Sequence, residues 1–213
     1  SYLGNETEED AIMPILPLIR ESIIRSHAKG IENALLLGNH STGVYTSGTF
    51  DGLIKMASAD SDETQSATAV ASDTITAAEL LALRKNMGKY GVNPNDVVYI
   101  VSQTAYFQLL EDAEFQDANL VGDMATKLTG EIGQVFGSRV LLCDEFPAQA
   151  ASGYGAIAVY ARNYVMPRLR GVTIESDYEV ANQRRVLVAS QRIGFTDLID
   201  GATSKWAYKY KAS

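Results

Sequence analysis

The sequence predicts an α+β fold organised by one long helix, and three stretches of the chain carry that prediction. In residues 15–56 a regularly spaced apolar segment drops abruptly into the glycine-bearing N-H-S-T-G and F-D-G-L-I-K-M. Residues 76–110 read as a helix, a turn, a strand and a second helix in close succession. Residues 140–210 hold a series of β-rich runs that end in the alternating W-A-Y-K-Y.

The long helix rests on period. Ile12, Leu16, Ile19, Ile23, Ile31 and Leu35 fall at steps of three, four or eight, which is one stripe of a helix. Pro17 suits a first turn, where its missing N–H is not needed, and Gly38 suits the position just past the end. The result is a helix of roughly twenty residues, about 30 Å long at the α-helical rise. Glu6, Glu8, Glu9 and Asp10 precede it, where carboxylates favour a helix N-terminus, and Pro14 with Pro17 predicts a kink or break after a short lead-in turn. Residues 57–74 are small, polar and acidic and read as an exposed loop with little core content.

Next, Thr76 and Glu79 have capping-box spacing, and Ile75 with Leu80 occupies the staple positions of a helix continued by Leu81, Leu83 and Met87. N-P-N-D at 93–96 is a turn, V-V-Y-I-V at 97–101 a buried strand, and Ser102 caps a short helix through Leu110. Residues 111–137, with four glycines, read as a loop with a short helical turn. Strands are expected at 140–143, 156–160 and 172–176, with a loop at 147–155. Residues 184–195 are the longest strand candidate, and 206–210 an edge strand.

Bulk properties narrow the function. The chain has 213 residues, 46% apolar and 21% charged, enough for one large domain or two small ones. A net charge of −8 with scattered Lys and Arg argues against a nucleic-acid-binding surface. Cys143 is the only cysteine, so an intrachain disulfide and a four-cysteine metal site are excluded. No run of eighteen apolar residues crosses a membrane, and no signal peptide opens the chain. The start at Ser1, without methionine, reads as a processed or trimmed chain.

Candidate chemistry is thin. His27 sits on the apolar stripe, where a satisfied or partly buried histidine is the expectation, and His40 lies in a loop without phosphate-loop glycine spacing or lysine. The two histidines are not at metal-ligand spacing. Asp144 and Glu145 follow Cys143 and disfavour its thiolate, so it reads as a small buried filler. Ser152-Gly-Tyr-Gly lacks the nucleophile-elbow pattern, G-E-I-G-Q-V-F-G at 130–137 lacks dinucleotide-loop spacing, and Asp60 to Glu63 lacks the glycine and terminal glutamate of a calcium loop. No catalytic set, metal site or cofactor site assembles, and the expectation is a protein that is not an enzyme.

The order of blocks carries a resemblance. E-x-A-L-L-L-G-N-x-x-T-G and F-D-G-L-I at the helix exit are followed by D-V-V-Y-I-V-S-Q-T-A-Y-F-Q-L-L and G-S-R-V-L-L-C-D-E-F-P. A-I-A-V-Y-A-R-N-Y, G-V-T-I-E-S-D-Y and Q-R-R-V-L-V-A-S-Q-R-I-G-F complete the series. This series is similar to the C-terminal two thirds of tailed-phage major capsid proteins with the Hong Kong 97-type fold, without their N-terminal arm and extended loop. The resemblance implies a peripheral domain of residues 1–50 plus 156–197, holding the spine helix and long strands. It also implies an axial domain of residues 51–155 plus 198–213.

The implied role is a structural virion protein that self-assembles into pentamers and hexamers of an icosahedral shell. Implied partners are further copies of itself, scaffolding and portal proteins, and packaged DNA met without sequence-specific contact by an acidic wall. The implied location is the virion, assembled in the bacterial host cytoplasm, with no membrane partner. Some relatives crosslink through a lysine, an asparagine and a buried glutamate. Ser190 or Gln191 stands near the glutamate's place and no carboxylate lies between Glu179 and Asp197, so no crosslinking is expected.

Tyrosine and arginine favour interfaces, which makes Tyr154, Tyr160, Arg162, Tyr164, Arg168 and Arg170, with Tyr178, the candidate subunit-interface residues. The alternatives are an encapsulin-type shell protein and, from a different class, an α/β enzyme with an unrecognised site.

Overall fold

A computed structural model describes residues 2–4, 15–40, 50–59, 64–66, 74–112, 133–147, 149, 153–199, 201 and 203–210. The lead-in before Ile15 lies outside the described residues, as do most of 111–137, the acidic stretch 60–63 and most of the 147–153 loop.

The long helix, α1, is Ile15–Leu37. Pro17 lies in its first turn, and Gly38 follows its last residue with its N–H donated to the Ala34 carbonyl at 2.9 Å. Leu16, Ile19, Ile23, His27, Ile31 and Leu35 are all half-buried, so the predicted stripe is the packed face. Leu36 alone in this helix is fully buried, because only its C-terminal end enters the core.

That core is built on a six-stranded mixed sheet. Its strands are β2 (Thr64–Ser66), β3 (Val97–Val101), β4 (Gln134–Val135), β5 (Ser138–Leu142), β6 (Tyr154–Tyr160) and β11 (Lys205–Lys209), in the order β2-β11-β6-β3-β5-β4. Alternation sends successive side chains to opposite faces. Val97, Tyr99 and Val101 of β3, Ala156 and Ala158 of β6 and Tyr208 of β11 point to one face. There they meet Leu80, Leu83 and Met87 of α3 (Ala77–Asn86) and Ala105 and Leu109 of α4 (Gln103–Glu111). Ile157, Val159 and Ala207 point to the other face, against Leu36 of α1 and Leu53, Ile54 and Ala57 of α2 (Leu53–Ala59). The result is three layers, with the sheet in the middle.

A second sheet stands apart from this core. β8 (Arg168–Glu179) and β9 (Arg184–Ile193) form a long antiparallel ribbon, and β1 (Tyr2–Gly4) pairs with β9 at Arg184–Val186. Leu187 is buried, and Ala189 with Gln191 follows it along the side that faces α1. Among the described residues the outer edge of β8 is unpaired, and register shifts around Arg170 break its regularity, as do charges along it. β7 (Tyr164–Val165) and β10 (Thr196–Asp197) pair at the root of the ribbon.

Several expectations need correction. The 57–74 loop begins inside α2, where Ala57 is fully buried one turn after Ile54 and Leu53, and it contains β2. β2 runs parallel to β11, so the 206–210 strand is not an edge. The longest strand is β8, with 12 residues against 10 in β9. Gln134 to Ser138 is a tight hairpin and not a loop. The strand expected at 156 starts at Tyr154, and apart from Gly155 each of its residues pairs with β3 or β11. A boundary at residue 156 would therefore divide β6, whose partners all lie in segments 51–155 and 198–213.

The capping box does not close. Thr76 is the N-cap of α3, but its side chain makes no capping bond. The Ile75 N–H donates instead to Gln108 Oε1 at 3.0 Å and the Ala77 N–H to Asp112 Oδ2 at 2.9 Å, both from the end of α4. Ile75 and Leu80 are buried together, as the staple requires. A cap supplied across the fold ties two helices at once. Asp112→Ala is expected to lower stability by about 1 kcal/mol, the loss typical of a cap, in a urea titration.

Candidate functional site

The described residues hold no cluster of three or more His, Cys, Asp or Glu side chains that could bind a metal. Cys143 is half-buried beside the α1–α2 core. Burial pushes its thiol up, one backbone hydrogen bond from Glu145 opposes this, and the charges of Glu32, Glu145 and Asp144 push it further up. Burial and the neighbouring carboxylates both disfavour its thiolate, and the side chain is half-buried where the sequence suggests a buried filler.

His27 is half-buried on α1 and lines an open cleft of about 740 Å³ between α1 and β9. Gln191 lines the same cleft, while Thr173 Oγ1 donates to the Ser190 carbonyl. His40 has a partner that its loop did not reveal. Its backbone N–H donates to Asp51 Oδ1 at 3.0 Å, and its ring Nδ1 lies 3.1 Å from Asp51 Oδ2. Burial pushes the Asp51 carboxyl up, but the His40 hydrogen bonds and the charges of His40 and Lys55 outweigh it, so its pKa lies below the usual 3.8.

A carboxylate with a depressed pKa stabilises the fold in full above its unfolded value and loses that contribution as pH falls through the folded one. The stability gap between wild type and Asp51→Asn is therefore expected to be open at pH 6. It should narrow as pH falls below 3.8 and through the lower folded value, as followed by urea midpoints.

The aromatic and basic candidates divide into two groups. Tyr154, Tyr160 and Tyr164 are half-buried within the chain. Tyr154 packs on the α1–α2 side, and Tyr160 packs at a tilt against Tyr90 with ring centroids 5.2 Å apart. Tyr164 lies nearly parallel to Phe195 at 5.4 Å, and its hydroxyl is 3.2 Å from Ser204 Oγ. Arg162 reaches back to Asp96 at 2.9 Å. Arg168, Arg170 and Tyr178 instead stand outward on β8, with Arg170 donating to Glu175 at 3.0 Å.

Two apolar surfaces have no counterpart among the candidates that residue type singles out. Val165, Met166, Leu169, Leu198 and Ile199 are exposed around the root of the ribbon. Leu81, Val92 and Phe136 are exposed near the N-terminal end of β3, at 42%, 75% and 45%. Arg84 organises the second group. Its Nε donates to the Gly91 carbonyl at 2.6 Å, Nη1 to Phe136 at 2.9 Å and Nη2 to Val92 at 3.0 Å. Phe136 and Gly137 form the two-residue tip of the β4–β5 hairpin, both at positive φ, +48° and +79°. A type I′ turn demands this, but a bulky side chain there is disfavoured by about 1 kcal/mol. The signal available in sequence was the Phe-Gly pair between Val135 and Ser138, which lacks the Asn or Asp that marks such hairpins.

Protein-family models gave no match to the chain. It is 40% identical over 194 residues to the major capsid protein of Escherichia phage T5, an alignment covering 91% of this chain. The chain is therefore a relative of a phage major capsid protein across nearly all of its length. It spans 41% of the length of that curated relative.

Solved structures show the same fold. The capsid of an empty GTA particle, computed with C5 symmetry, matches with a TM-score of 0.71 at 15% identity, over 100% of this chain and 71% of the other. The capsid of cyanophage P-SCSP1u matches at 0.70 and 15%, with the same coverage. The holo-SrpI encapsulin complex of Synechococcus elongatus matches at 0.65 and 9%, over 99% of this chain and 71% of the other. At such identities the likeness shows the fold alone. The α+β capsid fold is thus the one that the order of sequence blocks resembled.

Proposed function

We propose that this chain is the shell-forming part of a phage major capsid subunit, which packs against copies of itself in rings of five and six that close into an icosahedral shell around DNA. The observation that carries this reading is the 40% identity to a phage capsid protein across 91% of the chain. The role is structural and not enzymatic, as for the capsid relatives. The net charge of −8 suits a wall that holds DNA without gripping it. Scaffolding and portal proteins would be transient or local partners, the virion the final location, and the bacterial host cytoplasm the place of assembly.

Two domains serve this role. The peripheral one comprises α1 and the β8–β9 ribbon, residues 1–50 plus 156–197 in the family's pattern. The axial one comprises residues 51–155 plus 198–213, and the hydrogen bonding of β6 moves residues 156–160 into it from the peripheral one. Arg168, Arg170 and Tyr178 on the ribbon would meet neighbouring copies. Tyr154, Tyr160, Arg162 and Tyr164 would hold the subunit's own surface in shape beneath such contacts.

The test is compositional. DNA-filled particles purified from the host on a density gradient should have this chain as their most abundant protein by mass spectrometry. Particles holding an enzyme in place of DNA would favour the encapsulin alternative. Absence of the chain from all particles would refute both.

A further inference from the structure

The β4–β5 tip combines features that folding alone does not reward. Phe136 takes a left-handed backbone conformation that glycine or asparagine would adopt without strain, and yet its side chain stays 45% exposed. Val92 is three-quarters exposed directly after the 3₁₀ turn at Gly88–Gly91. The Arg84 fork fixes both residues in place through their carbonyls, so their side chains are displayed on a rigid base. With Leu81 they border an open hollow of about 420 Å³ above Gly88 and Gly91. A Cβ on Gly91 would collide with the Arg84 carbonyl, so the floor is also set by close backbone approach.

We propose that Leu81, Val92 and Phe136 form a contact ledge for a second copy of this chain, the neighbouring subunit of a ring. This rests on the shell reading above. Charge supports that occupant. Exposed Lys85 and Lys89 rim the ledge, whereas the chain as a whole carries −8, so the surface of another copy is complementary.

The chain also offers a matching patch. Phe107 and Glu111 stand one turn apart on the exposed side of α4, an apolar group beside an acid. α4 leaves the C-terminal end of β3, whereas Val92 precedes its N-terminal end. A contact between two different patches of the same chain is head-to-tail, the kind of contact that closes a ring when its rotation divides the full turn. Small-molecule binding is disfavoured, because the hollow is open and three exposed apolar side chains dominate its rim.

The test uses Phe136→Gly and Val92→Lys in the subunit expressed from its complete gene. Glycine relieves the backbone strain, so unassembled Phe136→Gly should melt at or above the wild-type temperature. Its particle yield, counted by sedimentation and electron microscopy, should fall at least tenfold. Val92→Lys changes only an exposed side chain, and it should show the same loss with an unchanged melt. Should Phe136→Gly fail to fold, Val92→Lys decides. Wild-type particle yield in Val92→Lys would overturn the ledge while leaving the shell reading intact. A wild-type subunit that forms no particles would overturn the shell reading, and the ledge with it.

Discussion

Gly52→Ala is expected to destabilise the subunit by about 3 kcal/mol, at the upper end of what overpacking does. A Cβ at Gly52 would lie 2.6 Å from the Gly38 nitrogen and 2.8 Å from the Leu36 carbonyl carbon and oxygen. All three are backbone atoms, so no side chain can swing aside. Here the chain leaves α1 and crosses its own end, with the Gly52 N–H donating to the Gly38 carbonyl at 2.8 Å. Making room would move α2 off α1 and open the cluster of Leu36, Leu53, Ile54 and Ala57. Thermal melting of the unassembled subunit should drop by about 6–12 °C for that loss in a chain of this size. Gly30→Ala is the control. Nothing lies within 4 Å of its added Cβ, and alanine in the interior of a helix should raise stability by about 0.5–1 kcal/mol.

Leu80→Ala should be nearly as damaging, at about 3–4 kcal/mol. Leu80 is fully buried between α3 and the sheet, packed in the cluster with Tyr99, Ala158 and Tyr208. Its loss leaves a cavity in a layer whose neighbours are held by strand pairing and cannot collapse inward. The adjacent Leu81 is the sharpest comparison, since it projects outward. Leu81→Ala should change stability by less than about 0.5 kcal/mol. Urea midpoints of the two variants, measured side by side, check both values. Equal losses would contradict the placement of α3.

Elements with a strong period or strong punctuation are legible in the amino-acid sequence. α1 declares itself through its stripe, Pro17 and Gly38, and Ser102 caps α4 through the Ala105 N–H at 3.2 Å, as its position predicts. What the sequence hides is short or non-local. α2 has seven residues and β2 three, too few for a period to show. The cap of α3 comes from Gln108 and Asp112, more than thirty positions away, where no local pattern points.

The interface candidates show the same limit. Residue type singles out tyrosines that the fold turns inward onto Tyr90 and Phe195. Exposure of Val92 and Phe136 depends on a turn and on a three-carbonyl arginine fork, neither written in composition. The fold is legible all the same, because the order of many weak blocks is more specific than any one of them.

The most direct test of the shell reading is electron cryomicroscopy of the product of the complete gene, purified at high concentration. Closed icosahedral particles are predicted, with rings of five and six subunits in which this fold can be traced. A protein that stays strictly monomeric, or assembles without closed rings, would contradict it.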